Sequence, residues 1–395
     1  MPLAGLNARQ RTNRASGASG CFGQRESAGL PEASKSRTDG VEYGDGLGIH
    51  SSIFAVSANR LGAGAGGDTR WISPATSSGE MECSHGRLPP LRDHSMKALL
   101  LGARGAVGTV IRRELEREGV AVTAASRSES SGARIDLRGD LASLTLLAAT
   151  HDVVINASGI ERADLATATG ATALVDISAT GSYLEVLRMR ATGPVVLGAG
   201  LVPGLSTVLA GSLATDPGDD IDVFVMLGSG ERHGPAAVAW TAGLVGTDLY
   251  QPPEAHPVRN FLDSARAVGP DGRTRRYLRA DFPDHILLRE GGARIRTYLT
   301  LGSTLMTGAL DLIGRMPMLR GALKAAPHMG SDAWHVIAQN RRTGERYQAS
   351  GRGQSEATGR LTALVAMRVA ASSTVGAVTT ADLVTVGEAL NALAQ

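Results

Sequence analysis

Cysteine is almost missing from this chain: Cys21 and Cys83 are the only two in 395 residues, and both precede the first stretch that reads as folded. A disulfide framework and a Cys-ligated zinc site are thereby excluded from the core, and a reducing, cytoplasmic setting is expected. Lysine is nearly as scarce, with Lys35, Lys97 and Lys324 alone. That scarcity removes one enzyme class. A short-chain dehydrogenase needs Tyr-x-x-x-Lys, yet Tyr183 is followed four residues later by Leu187, and Arg320 stands four residues before Lys324. The nine histidines form no H-x-x-x-H pair and no His-Glu pattern, so no metal is expected. Dense Lys/Arg runs are absent and the formal charge is only +2, which leaves no electrostatic footprint for nucleic acid. Long apolar runs are absent too. The best C-terminal candidate, 361–371, is interrupted by Arg368 and falls far short of the roughly 20 residues a membrane span needs.

What remains is the composition of an ordinary globular chain, 43% hydrophobic and long enough for two domains. Residues 1–95 are the exception, rich in Gly, Ser, Arg and Pro with no apolar period. They are expected to form a disordered N-terminal extension, because such a segment cannot bury enough apolar surface to offset its ordering entropy. No apolar stretch near Met1 suggests a secretory signal. The acid-free start through Arg25 faintly resembles an organellar transit peptide; translation beginning at Met96 is the other explanation.

From Met96 the texture changes to short apolar runs alternating with amphipathic stretches, the pattern of β-α-β units on a parallel sheet. Strands are expected at 97–101, 120–125, 133–136, 152–156, 173–176 and 194–197. Helices are expected at 106–118, 141–149, 163–169, 183–190 and 205–214. This defines a doubly wound domain over 96–218. Between 219 and 352 an α+β domain is expected, with strands at 221–227, 294–301, 333–339 and 345–349, a hairpin turn at Arg342-Thr343-Gly344, a helix at 304–313 and an antiparallel sheet. The segment 353–395 is read as C-terminal helices returning to the first domain, since Leu361, Leu364, Val365 and Val369 share one helical face.

Between the first strand and first helix stands G-x-x-G-x-x-G: Gly102, Ala103, Arg104, Gly105, Ala106, Val107, Gly108. Gly102 permits the tight turn, Gly105 lets backbone approach a pyrophosphate, and Gly108 lets helix pack closely on strand. The helix N-terminus offers unpaired N–H groups and the positive end of its dipole to the anion. A Rossmann-type dinucleotide site follows. Where an NAD site places an acid at the end of the second strand, this chain reads Ser126-Arg127-Ser128. An arginine fork with two hydroxyls suits a 2′-phosphate, so NADP is favoured, with NAD the alternative. Asp136, closing the third strand, is a candidate for adenine contact. Asn156, Ala157, Ser158 and Gly159 close the fourth strand at the carboxyl edge and suit the nicotinamide ribose.

The candidates for proton transfer are His233, in the loop after a second-domain strand, and Tyr183 with Asp176 at the end of the fifth strand. Arg232, Arg259 and Arg279 could clamp a substrate carboxylate.

Three segments together resemble the saccharopine dehydrogenase-like family in its reductase branch. They are the Gly102–Gly108 loop, Val175-Asp176-Ile177-Ser178 with Tyr183, and Gly198-Ala199-Gly200-Leu201-Val202-Pro203-Gly204-Leu205-Ser206. The resemblance runs from Met96 to the C-terminus and includes Val378-Thr379-Thr380-Ala381-Asp382. It implies a Rossmann domain with an inserted α+β domain for substrate and often dimerisation, hence a homodimer, and NAD(P)-linked redox chemistry. It also implies substrate contacts at Gly200, Pro203 and Gly204. Members act on amino-acid imines, polyamine precursors and lipid-linked enoyl groups, so the resemblance implies a reaction type: hydride transfer to or from a C=N, C=O or C=C bond of a small organic acid or amine. A non-catalytic dinucleotide-binding module and an atypical Rossmann epimerase or reductase are the competing readings.

Overall fold

The computed structural model describes residues 95–127, 132–231, 235–325 and 330–394. The expected disorder of 1–95 therefore falls, but for residue 95, outside the described residues, as do Ser128, Arg232 and His233.

The first half of the described chain alternates strand and helix: β1 (Lys97–Leu101), α1 (Ala106–Arg117), β2 (Ala121–Ser126), β3 (Ala133–Arg134), α2 (Ala142–Ala148), β4 (Val153–Asn156), α3 (Asp164–Ala168), β5 (Ala173–Asp176), α4 (Gly181–Met189), β6 (Val195–Leu197) and α5 (Leu205–Gly211). There follow β7 (Asp220–Leu227), α6 (Pro235–Leu244), β8 (Ser264–Val268), β9 (Thr274–Arg279), α7 (Asp284–Leu287), β10 (Arg294–Leu301), α8 (Thr304–Arg315), a 3-10 segment (Pro317–Ala325), β11 (Ala333–Asn340) and β12 (Arg346–Arg352). The chain ends with α9 (Gln354–Ala371), β13 (Ala377–Thr379) and α10 (Val386–Ala394).

Seven strands form one parallel sheet in the order β13-β6-β5-β4-β1-β2-β3. The order reverses between β1 and β4, as in a doubly wound dinucleotide fold. Both faces of the sheet are covered, which is why its strands are apolar runs without alternation. Successive residues of β1 serve opposite cores: Leu99 and Leu101 pack with α2, α3 and α4, while Ala98 and Leu100 pack with α1, α5 and α9. Each such leucine, fully buried, contributes about 1.5–3 kcal/mol. α9 lies against α1 at Gly359, where an added Cβ would come within 2.5 Å of the Val110 side chain. A strand was not expected in the C-terminal segment, yet β13 adds to the sheet edge in parallel with β6.

The remaining six strands form a second sheet, β12-β11-β7-β10-β9-β8. It is mixed rather than antiparallel, because its central strands β7 and β10 run parallel, Asp220 opposite Arg294 through Leu227 opposite Leu301. The long connection between them, which holds α6, the β8–β9 hairpin and α7, supplies the crossover that a parallel pair requires. Strands β8 and β9 escaped the sequence reading for a physical reason. Arg275, Arg276 and Arg279 of β9 are neutralised by Asp271, Asp311 and Glu254 respectively, so charge occupies positions where periodicity would show apolar residues.

One face of this sheet, with Ile221, Val223, Val225, Leu299, Val336 and Ala338, joins the core around α5 and α9. The other face gathers Phe224, Tyr277, Tyr298 and Ile337, with Tyr277 Oη 2.7 Å from His335 Nε2. Arg346 on edge strand β12 donates to the carbonyl of Val268 on the opposite edge strand β8 at 2.6 Å, so the sheet is curled around these residues. Among the described residues, no helix is long and apolar enough to cross a membrane.

Candidate functional site

The loop after β1 shows three glycines doing three different things. Gly102 has φ +85°, and a Cβ there would fall 2.4 Å from the Ala157 carbonyl oxygen, so the loop presses against the turn after β4. At Gly108 a Cβ would stand 2.2 Å from the Gly102 carbonyl oxygen, so helix and loop could not pack with a side chain present. Gly105 differs. Its φ is −73°, and the only atom a Cβ would meet is the Gly102 oxygen at 3.4 Å, an ordinary contact. The protein's own packing therefore gives no reason for glycine at 105. Gly105 is the N-cap of α1, where no side chain caps the helix and the first turn carries no acid. Four N–H groups at such an end lack intrahelical partners, and the helix dipole makes the place favourable for an anion.

Around this helix end the other predicted contacts separate. Arg104 is exposed, as is Arg127 just past β2, with Ser126 half-buried beside it. Asp136 is exposed, but its Oδ1 accepts from the Arg138 N–H at 3.0 Å, so part of its capacity closes its own turn. Ala106 and Val107 open α1, and Ala157, Ser158 and Gly159 form the turn that touches Gly102. Asn156 faces inward: its Nδ2 donates to the Ile160 carbonyl at 3.1 Å and to Asp176 Oδ2 at 2.8 Å, and its Oδ1 accepts from Ser158 Oγ at 2.6 Å. The Asn156 side chain therefore shapes the turn that Ala157, Ser158 and Gly159 continue.

Asp176 and Tyr183 do come together, Tyr183 Oη donating to Asp176 Oδ2 at 2.8 Å, while Asp176 Oδ1 accepts from the Ser178 N–H. Both are buried, Asp176 completely. Burial pushes the Asp176 carboxyl up from its ordinary range, opposed by bonds from Ser178, Asn156 and Tyr183. Burial, and then the neighbouring Asp176, also drive the Tyr183 hydroxyl strongly upward. With its proton committed to the carboxylate, Tyr183 braces α4 against the end of β5, while Asn156 ties the same carboxylate to β4.

Glu161, which the sequence reading passed over, stands just past the turn that follows β4. It follows the Asn156–Ile160 turn, is hydrogen-bonded to Thr180, and is exposed on its outer side. Burial of the carboxyl raises its pKa, Asp176 raises it further, and Thr180 opposes both. The signal available in sequence was its place just past the fourth strand, at the carboxyl edge where open α/β sheets bind ligands.

Gly200, Pro203 and Gly204, expected at the substrate, are buried. A Cβ on Gly204, whose φ is +132°, would lie 1.9 Å from the Gly200 carbonyl oxygen. The segment feeds α5, whose Ser206 and Thr207 hydroxyls donate to Asp284 Oδ1 at 2.8 and 2.9 Å. Thr297 of β10 donates to the other carboxylate oxygen at 3.3 Å. This knot ties α5 to α7 and to β10 of the second sheet. Of the arginines, Arg279 is 1% exposed and spent on the Thr297 carbonyl and Glu254, and Arg259 pairs with Asp248. Glu231, next to Arg232, accepts from the Gln354 and Ser355 N–H groups, which anchors that loop to the start of α9.

No protein-family model matches the sequence, and no curated protein matches it. The resemblance to saccharopine dehydrogenase-like proteins thus gains no support from sequence comparison. Among solved structures, aspartate semialdehyde dehydrogenase II from Vibrio cholerae aligns over 68% of this chain and 96% of its own, at 9% identity and a TM-score of 0.32. A probable aspartate-semialdehyde dehydrogenase from Pseudomonas aeruginosa covers 63% of this chain and 75% of its own, at 13% identity and a TM-score of 0.27. A putative NADH-flavin reductase from Streptococcus pneumoniae covers 29% of this chain and 67% of its own, at 22% identity and a TM-score of 0.18. Similarities this remote carry no functional argument. The fold assignment rests on strand order and direction.

Proposed function

We propose that the chain is an NADP-dependent oxidoreductase that transfers hydride to or from a C=N, C=O or C=C bond of a small organic acid or amine. The observation that carries the reading is Gly105, a glycine with no packing role at an uncapped, acid-free helix N-terminus beside the point where strand order reverses. A pyrophosphate would fill the space in front of it. Arg127, exposed at the end of β2, is where a 2′-phosphate would be read, by a fork that a lysine could not supply. The half of the sheet beginning with β4 would then take the nicotinamide, bringing it beside Glu161. A carboxyl whose pKa is raised by burial at that place suits delivery of the proton that accompanies hydride. The saccharopine dehydrogenase-like reading belongs here too, as one that the loop and the Gly198–Ser206 segment support.

A second reading has an observation of its own. Asp176 and Tyr183, two of the three residues named for catalysis, are sealed in, which favours a module that binds the dinucleotide without turning it over. Calorimetric titration with NADPH and NADH tests the first step, using Gly105→Asp as the control. The wild type should bind NADPH more tightly, and the variant should bind neither while keeping its circular dichroism spectrum. A folded variant that still binds NADPH would refute the site. Absorbance at the nicotinamide band across a panel of imines, carbonyls and enoyl acids then separates an enzyme from a binding module.

A further inference from the structure

Nine large apolar side chains are conspicuously exposed among the described residues, and five of them fall between residues 305 and 319: Leu305, Leu312, Met316, Met318 and Leu319. Leu305 is 80% exposed and Met318 is 84% exposed. Leu305, Leu312 and Met316 recur at the spacing that places them along one side of α8 and its C-terminal end, and Met318 and Leu319 continue from there into the 3-10 segment. Beside them lies a groove of about 500 Å³ between α6 and the 3-10 segment, lined by Ala239, Ala242, Gly243, Met318, Gly321 and Arg320. The helix forming the far wall, Pro235–Leu244, contains no charged residue. Contiguous exposed apolar surface of this kind marks an interaction site.

Charge and side-chain type decide what covers it. From Leu312 to Ser331 the sequence has no Asp or Glu, while it carries Arg315, Arg320 and Lys324. Asp311 is shared by Arg276 and Arg315, both at 3.2 Å, so that cluster keeps a net positive charge. Arg320 has no ion pair among the described residues. Protein-binding hot spots are built on Trp and Tyr as well as Arg, but no aromatic residue occurs between Leu299 and Ala333, and Trp240 of α6 is packed against Phe282 and the core. Flexible Met and Leu side chains rimmed by cations are the chemistry that enters the headgroup boundary of an anionic bilayer.

We propose that the face formed by α8, the 3-10 segment and α6 docks the protein on an anionic lipid bilayer, with Leu305, Leu312, Met316, Met318 and Leu319 inserted and Arg320 on lipid headgroups. The proposal is independent of the dinucleotide site. Its test is co-sedimentation of the full chain with phosphatidylcholine vesicles, with and without phosphatidylglycerol. The wild type should partition onto the vesicles containing phosphatidylglycerol, and weaken at high salt. Leu305→Ser with Met318→Ser should lower partitioning roughly tenfold or more. Arg320→Glu should lower it only on the anionic vesicles. Both side chains replaced by serine are outside the core, and a thermal melt of the variant confirms folding. Absence of wild-type binding overturns the proposal, as does unchanged binding by the serine variant. A wild-type dimer that the serine variant converts to monomer, seen by light scattering, overturns it also and assigns the face to a second copy of this chain.

Discussion

Strands β1, β4, β5 and β6 bury apolar side chains almost throughout, and the one ionisable side chain among their buried residues is Asp176 at the end of β5. The second sheet buries Asp222, Arg279 and His335 within its strands. The first is held chiefly by apolar packing, with the bonds to Asp176 as a buried polar cluster at the end of β5, and stays legible from its apolar runs. The second is held by packing on one face and by paired charge on the other, where Arg341 grips Asp222 at 2.6 and 2.8 Å and Arg296 bridges Asp220 and Glu254. Asp222 is largely buried while its partner Arg341 is 46% exposed, so removing Arg341 would leave the Asp222 charge without its neutralising partner. The two sheets should therefore respond differently to added bulk, to acid and to ligand.

Bulk has the largest effect. Gly108→Ala should destabilise the protein by about 3 kcal/mol or more, since the new Cβ would overlap a backbone oxygen that has no rotamer to escape into. Alanine's better helix propensity, worth about 1 kcal/mol, does not offset this. Urea denaturation measures the difference, and an unchanged midpoint would show that the β1–α1 contact is looser than described.

Acid comes next, and its sign differs between the sheets. His335 is held at about 4 against an ordinary 6.5, chiefly by burial, with Arg275 and Arg346 adding to the effect and Asp271 opposing it. Between those values the unfolded chain binds the extra proton, so the stability due to the neutral ring is complete above pH 6.5 and lost as pH falls toward 4. The whole loss is roughly 3 kcal/mol. Asp176 works the other way: raised by burial, it favours folding at low pH and loses that contribution as pH rises through its folded pKa. His335→Gln should flatten the acid side of the stability curve, and Asp176→Asn the opposite side. Curves for the His335 variant that parallel the wild type from pH 7 to 4 would count against a neutral buried ring.

What could be read from sequence follows the same division. The seven-stranded sheet lost only β13, three residues too short to show a period, and its loop glycines were found because backbone geometry demands glycine at 102 and 108. In the second sheet the hairpin β8–β9 was missed because β9 is rich in arginine, whose charges are neutralised by Asp271 nearby and by Glu254 and Asp311 much farther along the chain. The site divides likewise. Gly105 and Arg127 sit on local motifs, whereas the burial of Asp176, Tyr183, Gly200 and Gly204 depends on strands and loops brought together only by the fold. Glu161 had only its place just past the fourth strand to mark it in sequence; Thr180 and Asp176 single it out in space.

Ligand response should be confined to the first sheet. Arg127→Ala is expected to weaken NADPH by about 1.5–3 kcal/mol, the scale of a hydrogen bond to a charged group, and to leave NADH unaffected. Titration of both cofactors checks it. Equal losses would mean that Arg127 touches something the two share.

The smallest effect on stability, and the sharpest contrast, belongs to Gly105→Ala. The residue has φ −73° and ψ 165°, a conformation open to alanine, and the added Cβ meets only the Gly102 oxygen at 3.4 Å. Alanine is a poorer N-cap than glycine by under about 1 kcal/mol, so the urea midpoint should barely move. Affinity for NADPH should fall nonetheless, because the methyl group occupies the approach of the pyrophosphate to the helix N-terminus. Gly108→Ala in the same loop should lose stability first and affinity only as a consequence. If Gly105→Ala instead destabilises the fold as much as Gly108→Ala, then the glycine at 105 has a structural reason, and the argument that reserves this position for a ligand fails.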